Sequence, residues 1–247
     1  MSLKQPDGSF LVARHAEVDV RGIYCLLVVA TLLDLLTPAL VAGTASFIAS
    51  CQTYEGGFSS ASQPYYAVPP SPPSAQSDAP RLLENPRPPL GEAHGGYTFC
   101  ATAAWVLLRS FHDASVGEEA QPNINVTRLL RWLVMMQGTE IELGGFKGRT
   151  NKLVDGCYSW WCGSAFALVE ALGVSAAGSN IAQDGSLPTD EEGWDDIDGK
   201  ISVPPKAILI YGWMGFVESL FDRKALQEYI LYAGQHPAGG LRDKPPK

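Results

Sequence analysis

The sequence predicts an all-α fold: an α/α toroid, barrel-like in the α6-α6 sense, with an inner ring of buried helices and an outer ring of amphipathic ones. Two observations carry this. First, a glycine turn recurs four times. It reads Gln5-Pro6-Asp7-Gly8-Ser9-Phe10, then Cys51-Gln52-Thr53-Tyr54-Glu55-Gly56-Gly57-Phe58, then Gln137 with Gly144-Gly145-Phe146, then Gln235 with Gly239-Gly240-Leu241. Second, the helical segments between the turns alternate in character. Arg21–Leu36, Tyr97–Phe111, Cys157–Leu172 and Ala207–Phe221 are apolar almost all round, whereas Pro38–Cys51, Thr127–Gln137 and Lys224–Gln235 are amphipathic. No strand pattern competes.

Each element has a local reason. In the turns, Gln ends one helix, the glycines supply positive φ, and the aromatic or leucine plugs the core. Helical units that cannot bury a face alone stack on their neighbours. Glu17-Val18-Asp19-Val20-Arg21 opens the first inner helix, with acids favourably placed against the helix dipole. Arg21 enters a buried helix and needs either a buried partner or a ligand carboxylate. Thr37-Pro38 reads as an N-cap followed by proline at the first helical position. Asn125-Val126-Thr127 fits a glycosylation pattern, but a helix cap is the favoured reading. Two segments break the rhythm and are read as insertions into one domain covering residues 1–247. Residues 59–89 are rich in Pro and Ser, and residues 175–200 are acidic.

The net charge of −8 is uneven, because residues 175–200 carry seven acids and one lysine. The rest is nearly balanced, and no basic patch points to nucleic acid. Five cysteines without a regular framework argue against a secreted disulfide scaffold. Residues 1–10 are polar and read as no signal peptide. The apolar run Ile23–Leu33 ends at Asp34 and is too short for a transmembrane segment. Together these give a cytoplasmic expectation.

The chemistry gathers in Gly144–Trp161. Asp155 and Cys157 can point at one metal ion, and thiolate with carboxylate suits zinc. Arg149, Lys152 and Tyr158 can surround an anion beside it. Glu92-Ala93-His94-Gly95-Gly96-Tyr97 leads into another inner helix. His94 there reads either as an ordinary loop histidine or as a donor to an anion, helped by the helix N-terminus. Trp160 and Trp161 are adjacent on a helix and cannot share a direction, so one goes to the core while the other lines a cavity.

The stretches SLKQPDGSFL, EVDVRGIYC, CQTYEGGF, AHGGYTFC, GGFKGRTNKLVDGCYSWW and ALQEYILYAGQHPAGGLRDKP cover most of the chain outside the insertions. Together they resemble the β subunits of the protein prenyltransferases. NKLVDGCYS and GGLRDKP look more like the farnesyl enzyme than its geranylgeranyl relatives. The resemblance implies transfer of a farnesyl group from farnesyl diphosphate to the cysteine of a C-terminal CaaX motif, by a zinc-bound thiolate, in a heterodimer with a helical α subunit. It implies zinc on Asp155 and Cys157, and a diphosphate pocket of His94, Arg149, Lys152 and Tyr158, of which Lys152 and Tyr158 act in catalysis. It implies an isoprenoid cavity lined by Tyr97, Cys100, Trp161, Tyr24 and Arg21. Glu17 and Arg21 are implied to hold the peptide carboxylate through water, and Asp243 to help bind magnesium.

The family's third zinc ligand is a histidine beyond Asp-Lys-Pro, and the sequence ends at Lys247 before it. The chain therefore looks like the middle half of such a subunit, and weak zinc binding and no turnover are expected of it alone. Two alternatives stay open: a geranylgeranyltransferase β subunit, separable by lipid-length competition, and a non-catalytic toroid-derived binding module, separable by zinc content with turnover.

Overall fold

The computed structural model describes residues 3–62, 66–67, 81–82, 91–112, 122–173 and 220–244. In chain order the elements are α1 (Val20–Leu32), α2 (Pro38–Val41), α3 (Thr44–Ser50), β1 (Tyr66–Ala67), β2 (Arg81–Leu82), α4 (Gly95–Leu107), α5 (Arg109–His112), α6 (Val126–Met136), α7 (Tyr158–Ala171) and α8 (Arg223–Glu228). A single π turn, Tyr229–Ala233, continues α8. The two short strands pair antiparallel with Tyr66 opposite Leu82, inside the expected Pro/Ser-rich insertion. The acidic insertion and all of the expected inner helix Ala207–Phe221 except its last two residues lie outside the described residues.

Helices α1, α4 and α7 form the inner row, with α4 packed against both of the others. That position explains its composition. Of its residues, Gly95, Gly96 and every position from Thr98 to Trp105 are buried, so a helix apolar all round is what the site requires. The outer helices pack one repeat further on, α3 against α4 and α6 against α7. Helix α6 is the clearest amphipathic case: Leu129, Leu130, Trp132, Leu133 and Met136 are buried, while Arg128 and Arg131 face out. Asn125 caps it, its side chain accepting from the Arg128 amide at 2.8 Å, which is the cap reading of that tripeptide.

The repeated turns share one geometry. Backbone bridges join Gln52 to Phe58, Gln137 to Phe146 and Gln235 to Leu241. In the first copy the bridge joins Lys4 to Phe10, so Lys4, not Gln5, holds the equivalent place. The glutamine has a role beyond ending a helix. Gln52 Nε2 donates to the carbonyls of Gly56 (2.9 Å) and Asn125 (3.0 Å), and its Oε1 accepts from the Asn125 amide at 2.7 Å. Gln137 repeats this with Gly144 (3.1 Å) and with the Asp222 carbonyl and amide (2.8 and 2.9 Å). Each carboxamide ties its turn to the N-cap residue of the next outer helix, α6 or α8. Phe58 and Phe146 are fully buried and Phe10 is nearly so. Burial of such a side chain stabilises by about 1.5–3 kcal/mol. Leu241 departs from the expected plug: it is 68% exposed, and among the described residues no inner helix follows to cover it.

Four helix boundaries differ from expectation, and the first is the inner segment 97–111, which starts at Gly95 and is split at Leu108 into α4 and α5. The segment 38–51 is broken at Gly43, where φ is 74°. There the backbone of Gly8 passes so closely that a Cβ on Gly8 would lie 2.1 Å from the Gly43 carbonyl carbon, and the Thr44 hydroxyl donates to the Gly8 carbonyl at 2.8 Å. Helix α1 stops at Leu32 rather than Leu36, with Asp34 at positive φ. The last outer helix loses its α geometry at Tyr229, where the π turn begins.

Candidate functional site

His94 is the N-cap of α4. Its Nδ1 accepts from the Gly96 amide at 3.0 Å. That contact assigns the neutral tautomer: Nδ1 is the acceptor, so the hydrogen sits on Nε2. Nε2 lies 2.9 Å from the Tyr158 hydroxyl across 64 residues of sequence, and it therefore donates to the phenol oxygen. The Tyr158 O–H is left to donate elsewhere. Burial, followed by the charge of Arg149, holds the His94 pKa below its ordinary value. Burial likewise pushes the Tyr158 phenol up to about 12, so it is a hydrogen donor throughout the neutral range.

The Tyr158 ring sits in a slot between two glycines. A Cβ on Gly148 would lie 1.8 Å from Tyr158 Cζ, and one on Gly95 would lie 2.9 Å from Cδ1. The Gly95 amide donates to the Gly148 carbonyl at 2.8 Å, which closes the slot from behind. Neither glycine signals this role within its own local pattern.

Arg149 and His94 line one open pocket of about 360 Å³ together with Ser59, Ser60, Gly91, Glu92 and Tyr97. Arg149 Nη1 donates to Glu92 Oε2 at 3.1 Å. Lys152 lies on the same loop, its amide donating to the Arg149 carbonyl at 3.3 Å, but its side chain is exposed and does not line this pocket. Of the four residues expected around an anion, His94 and Arg149 line the pocket, Tyr158 adjoins it through its bond to His94, and Lys152 stands on a flank. Tyr97 joins the corner through a ring contact with His94 at 4.7 Å, and the Arg21 guanidinium lies 5.0 Å from the Tyr97 ring.

Arg21 finds a buried partner inside the protein. Its Nε and Nη2 donate to the Asp19 carboxylate at 3.0 and 2.6 Å, and this bonding raises its pKa further. Asp19 also caps α1, accepting from the Arg21 amide at 2.8 Å. The Arg21 side chain still remains 57% exposed. Glu17 is exposed before α1, its carbonyl accepting from the Val12 amide at 3.0 Å.

An aromatic wall adjoins this corner. Phe99 stands at its centre, 5.6 Å from Tyr24, 5.5 Å from Trp161 and 6.1 Å from Trp160. Trp161 is half-buried against the core and Trp160 is 63% exposed, so neither tryptophan is a fully buried core residue. Cys100, expected to line a cavity, is 3% exposed and its thiol is pushed up to about 12 by burial.

Asp155 and Cys157 occupy the other end of the loop. The Cys157 amide donates to Asp155 Oδ1 at 3.1 Å. Burial, then hydrogen bonding to and the charge of Asp155, push the exposed Cys157 thiol up to about 12, with Asp243 adding to the effect. Asp243 is held here, its carbonyl accepting from the Gly156 amide, and it lines a cleft of about 170 Å³ with Cys157, Tyr229 and Arg242. It does not line the His94–Arg149 pocket. Thiol and carboxylate are suitable zinc donors, but a zinc site takes three or four ligands. Among the described residues no group of three His, Cys, Asp or Glu gathers closely enough to hold a metal.

The helical repeat fold carries a cation-and-tyrosine corner beside a thiol–carboxylate pair, as the resemblance to prenyltransferase β subunits implies. The comparisons agree. The chain belongs to the prenyltransferase alpha-alpha toroid domain family, whose model matches residues 1–247. It is 36% identical to the protein farnesyltransferase subunit beta of Pisum sativum over 99% of this chain and 54% of that protein. It is 35% identical to the protein farnesyltransferase subunit beta of Schizosaccharomyces pombe over 100% of this chain and 45% of that protein. The chain thus spans about half the length of these curated relatives. The fold matches that of a Candida albicans protein geranylgeranyltransferase-I solved with GGPP, with a TM-score of 0.55, 19% identity, and coverage of 98% of this chain and 52% of that one. Among the described residues no helix is long and apolar enough to cross a membrane.

Proposed function

We propose that this chain carries the diphosphate-holding and thiol-presenting part of a protein farnesyltransferase β subunit. Such an enzyme transfers a farnesyl group from farnesyl diphosphate to the cysteine of a CaaX C-terminus. The observation that carries the reading is the His94–Tyr158 hydrogen bond beside Arg149. It leaves a phenolic O–H and a guanidinium, with Lys152 on the flank, ready for one anion. In the reaction the substrate thiolate sulfur attacks C1 of the isoprenoid. The C1–O bond breaks, and the diphosphate leaves with the electron pair. Arg149, Lys152 and the Tyr158 O–H donate to the oxygens on which charge develops. His94 keeps the Tyr158 proton directed outward. Tyr24, Tyr97, Phe99 and Trp161 form the wall against which the isoprenoid lies, and Arg21 and Glu17 meet the peptide carboxylate through water.

Asp155 and Cys157 are the residues that would hold zinc, with at least one further donor from outside the described residues; bound there, zinc would keep a substrate thiol ionised near neutral pH. Asp243 lines the Cys157 cleft rather than the His94–Arg149 pocket, so the described residues do not fit a magnesium ion on the diphosphate. The α subunit is the proposed partner, and turnover is expected of the assembled heterodimer rather than of this chain alone.

Binding of farnesyl diphosphate to the chain and to Arg149→Gln, measured by equilibrium dialysis, tests the anion site. A charge-assisted hydrogen bond contributes about 1.5–3 kcal/mol. Arg149 is 42% exposed, so screening favours the low end, and about a tenfold loss is expected. Equal binding by the two proteins would overturn the site assignment.

A further inference from the structure

We infer that Glu92 is a built-in competitor for the anion pocket: its carboxylate occupies Arg149 when no diphosphate is bound and must release it when one enters. This rests on the diphosphate reading above and adds to it a residue that sets which anions the pocket accepts.

Glu92 is anchored where it can do this. It precedes the N-cap His94 by two residues. The His94 amide donates to the Phe58 carbonyl at 3.1 Å, and the intervening Ala93 is fully buried. Its backbone is therefore held by the second glycine turn, while Arg149 comes from the third. The contact between them, 3.1 Å across 57 residues, joins two repeats over the pocket. Of the seven residues lining that pocket, Glu92 is the one carboxylate.

The chemistry of exchange follows. A carboxylate and a phosphate group present similar acceptor oxygens to a guanidinium, so the Arg149 Nη1 donor now given to Glu92 Oε2 is one that a ligand must win from it. Both side chains are nearly half exposed, 42% and 45%, and an ion pair of that kind is weak. A monoanion gains little by displacing it. A multiply charged diphosphate, which on the diphosphate reading also meets the adjoining Tyr158 hydroxyl and the flanking Lys152, displaces it. The carboxylate thereby sets a charge threshold. It also reclaims Arg149 once inorganic pyrophosphate begins to leave, which favours product release.

Titration calorimetry of the full chain with inorganic pyrophosphate tests this, using wild type, Glu92→Gln, Arg149→Gln and the double variant, each checked for an unchanged circular-dichroism melt. Glutamine keeps the shape and exposure of Glu92 and removes its charge. Glu92→Gln is expected to tighten pyrophosphate binding by about two- to fivefold, and this gain should vanish in the Arg149→Gln background. Tightening that persists without Arg149 would mean general repulsion of anions and overturn the exchange. Weakened or unchanged binding in Glu92→Gln would overturn it too, the former showing that the carboxylate positions Arg149 for the ligand. If wild type binds and only the Glu92 effect is missing, the diphosphate reading stands without this inference. If none of the four proteins binds pyrophosphate, both fall.

Discussion

The loop from Lys147 to Tyr158 carries two corners built on opposite plans. The anion corner is long-range: Tyr158 meets His94 across 64 residues, and Arg149 meets Glu92 across 57. Its groups are already hydrogen-bonded and its central ring is wedged between two glycines. The metal pair is local. Asp155 and Cys157 are two residues apart, and the contact between them is a short-range amide-to-carboxylate bond. The first corner is organised before any ligand arrives. The second has its donors placed but needs more from elsewhere. A site written within three residues is easy to read and says little about its completeness. A site spread over two repeats is hard to read, yet the fold leaves it little freedom.

The largest expected effect sharpens the metal side. The Cys157 thiol is exposed yet pushed up to about 12, first by burial of its sulfur and then by Asp155. At pH 8 its thiolate fraction is then about three orders of magnitude below that of an ordinary thiol. Mass-spectrometric mapping of iodoacetamide labelling should find Cys157 slow despite its exposure, and Asp155→Asn should speed it by up to about tenfold. Zinc added to the isolated chain should change the rate little, because the described residues offer two donors. Fast labelling of wild-type Cys157, or strong protection by zinc, would show that the pair is already complete and erase the contrast.

The next effect strikes the anion side alone. Gly148→Ala puts a methyl group where Tyr158 Cζ now stands. The ring must leave its slot and the His94 bond must break, at about 1–3 kcal/mol of overpacking. Pyrophosphate binding should fall more than tenfold, while Cys157 labelling stays near the wild-type rate. Wild-type pyrophosphate affinity in this variant would mean that the glycine slot does not preorganise the corner.

Much of this was legible in the chain because the repeats are local. The described inner helices α1, α4 and α7 announced themselves through apolar composition, and two of the turns through Gly-Gly-Phe. Asn125 and Thr37 were readable as caps, and both act as caps. What was not legible depends on distant partners. The glutamines of the turns bond to residues 73 and 85 positions away. Asp19 is both the cap of α1 and the counter-ion to Arg21; the charges before the helix suggest the cap, but not which residue pairs with Arg21. Phe99 sits unremarked in an apolar helix until its neighbours are known, and Gly95 and Gly148 matter only because one aromatic ring lies between them. The break at Gly43 likewise exists because Gly8, from another turn, needs the space.

The smallest effect bears on how firmly the anion corner is fixed. His94 is neutral and caps α4 through Nδ1. Protonation would put a hydrogen on that nitrogen and destroy the cap, in a place where burial and Arg149 already disfavour the charge. The folded-state pKa is thus below the unfolded value of about 6.5. In the interval between them the unfolded chain binds more protons, so stability rises with pH. The contribution is fully present above about pH 6.5 and is lost as pH falls toward the folded pKa. Urea midpoints measured at pH 7.5 and 5.5 should therefore drop on acidification. Asparagine can cap a helix without titrating, so His94→Asn should show a smaller drop. An equal drop in both proteins would place the acid sensitivity elsewhere. It would also mean that the His94–Tyr158 contact tolerates a charged imidazole, leaving the anion corner less rigidly fixed than its hydrogen bonds require.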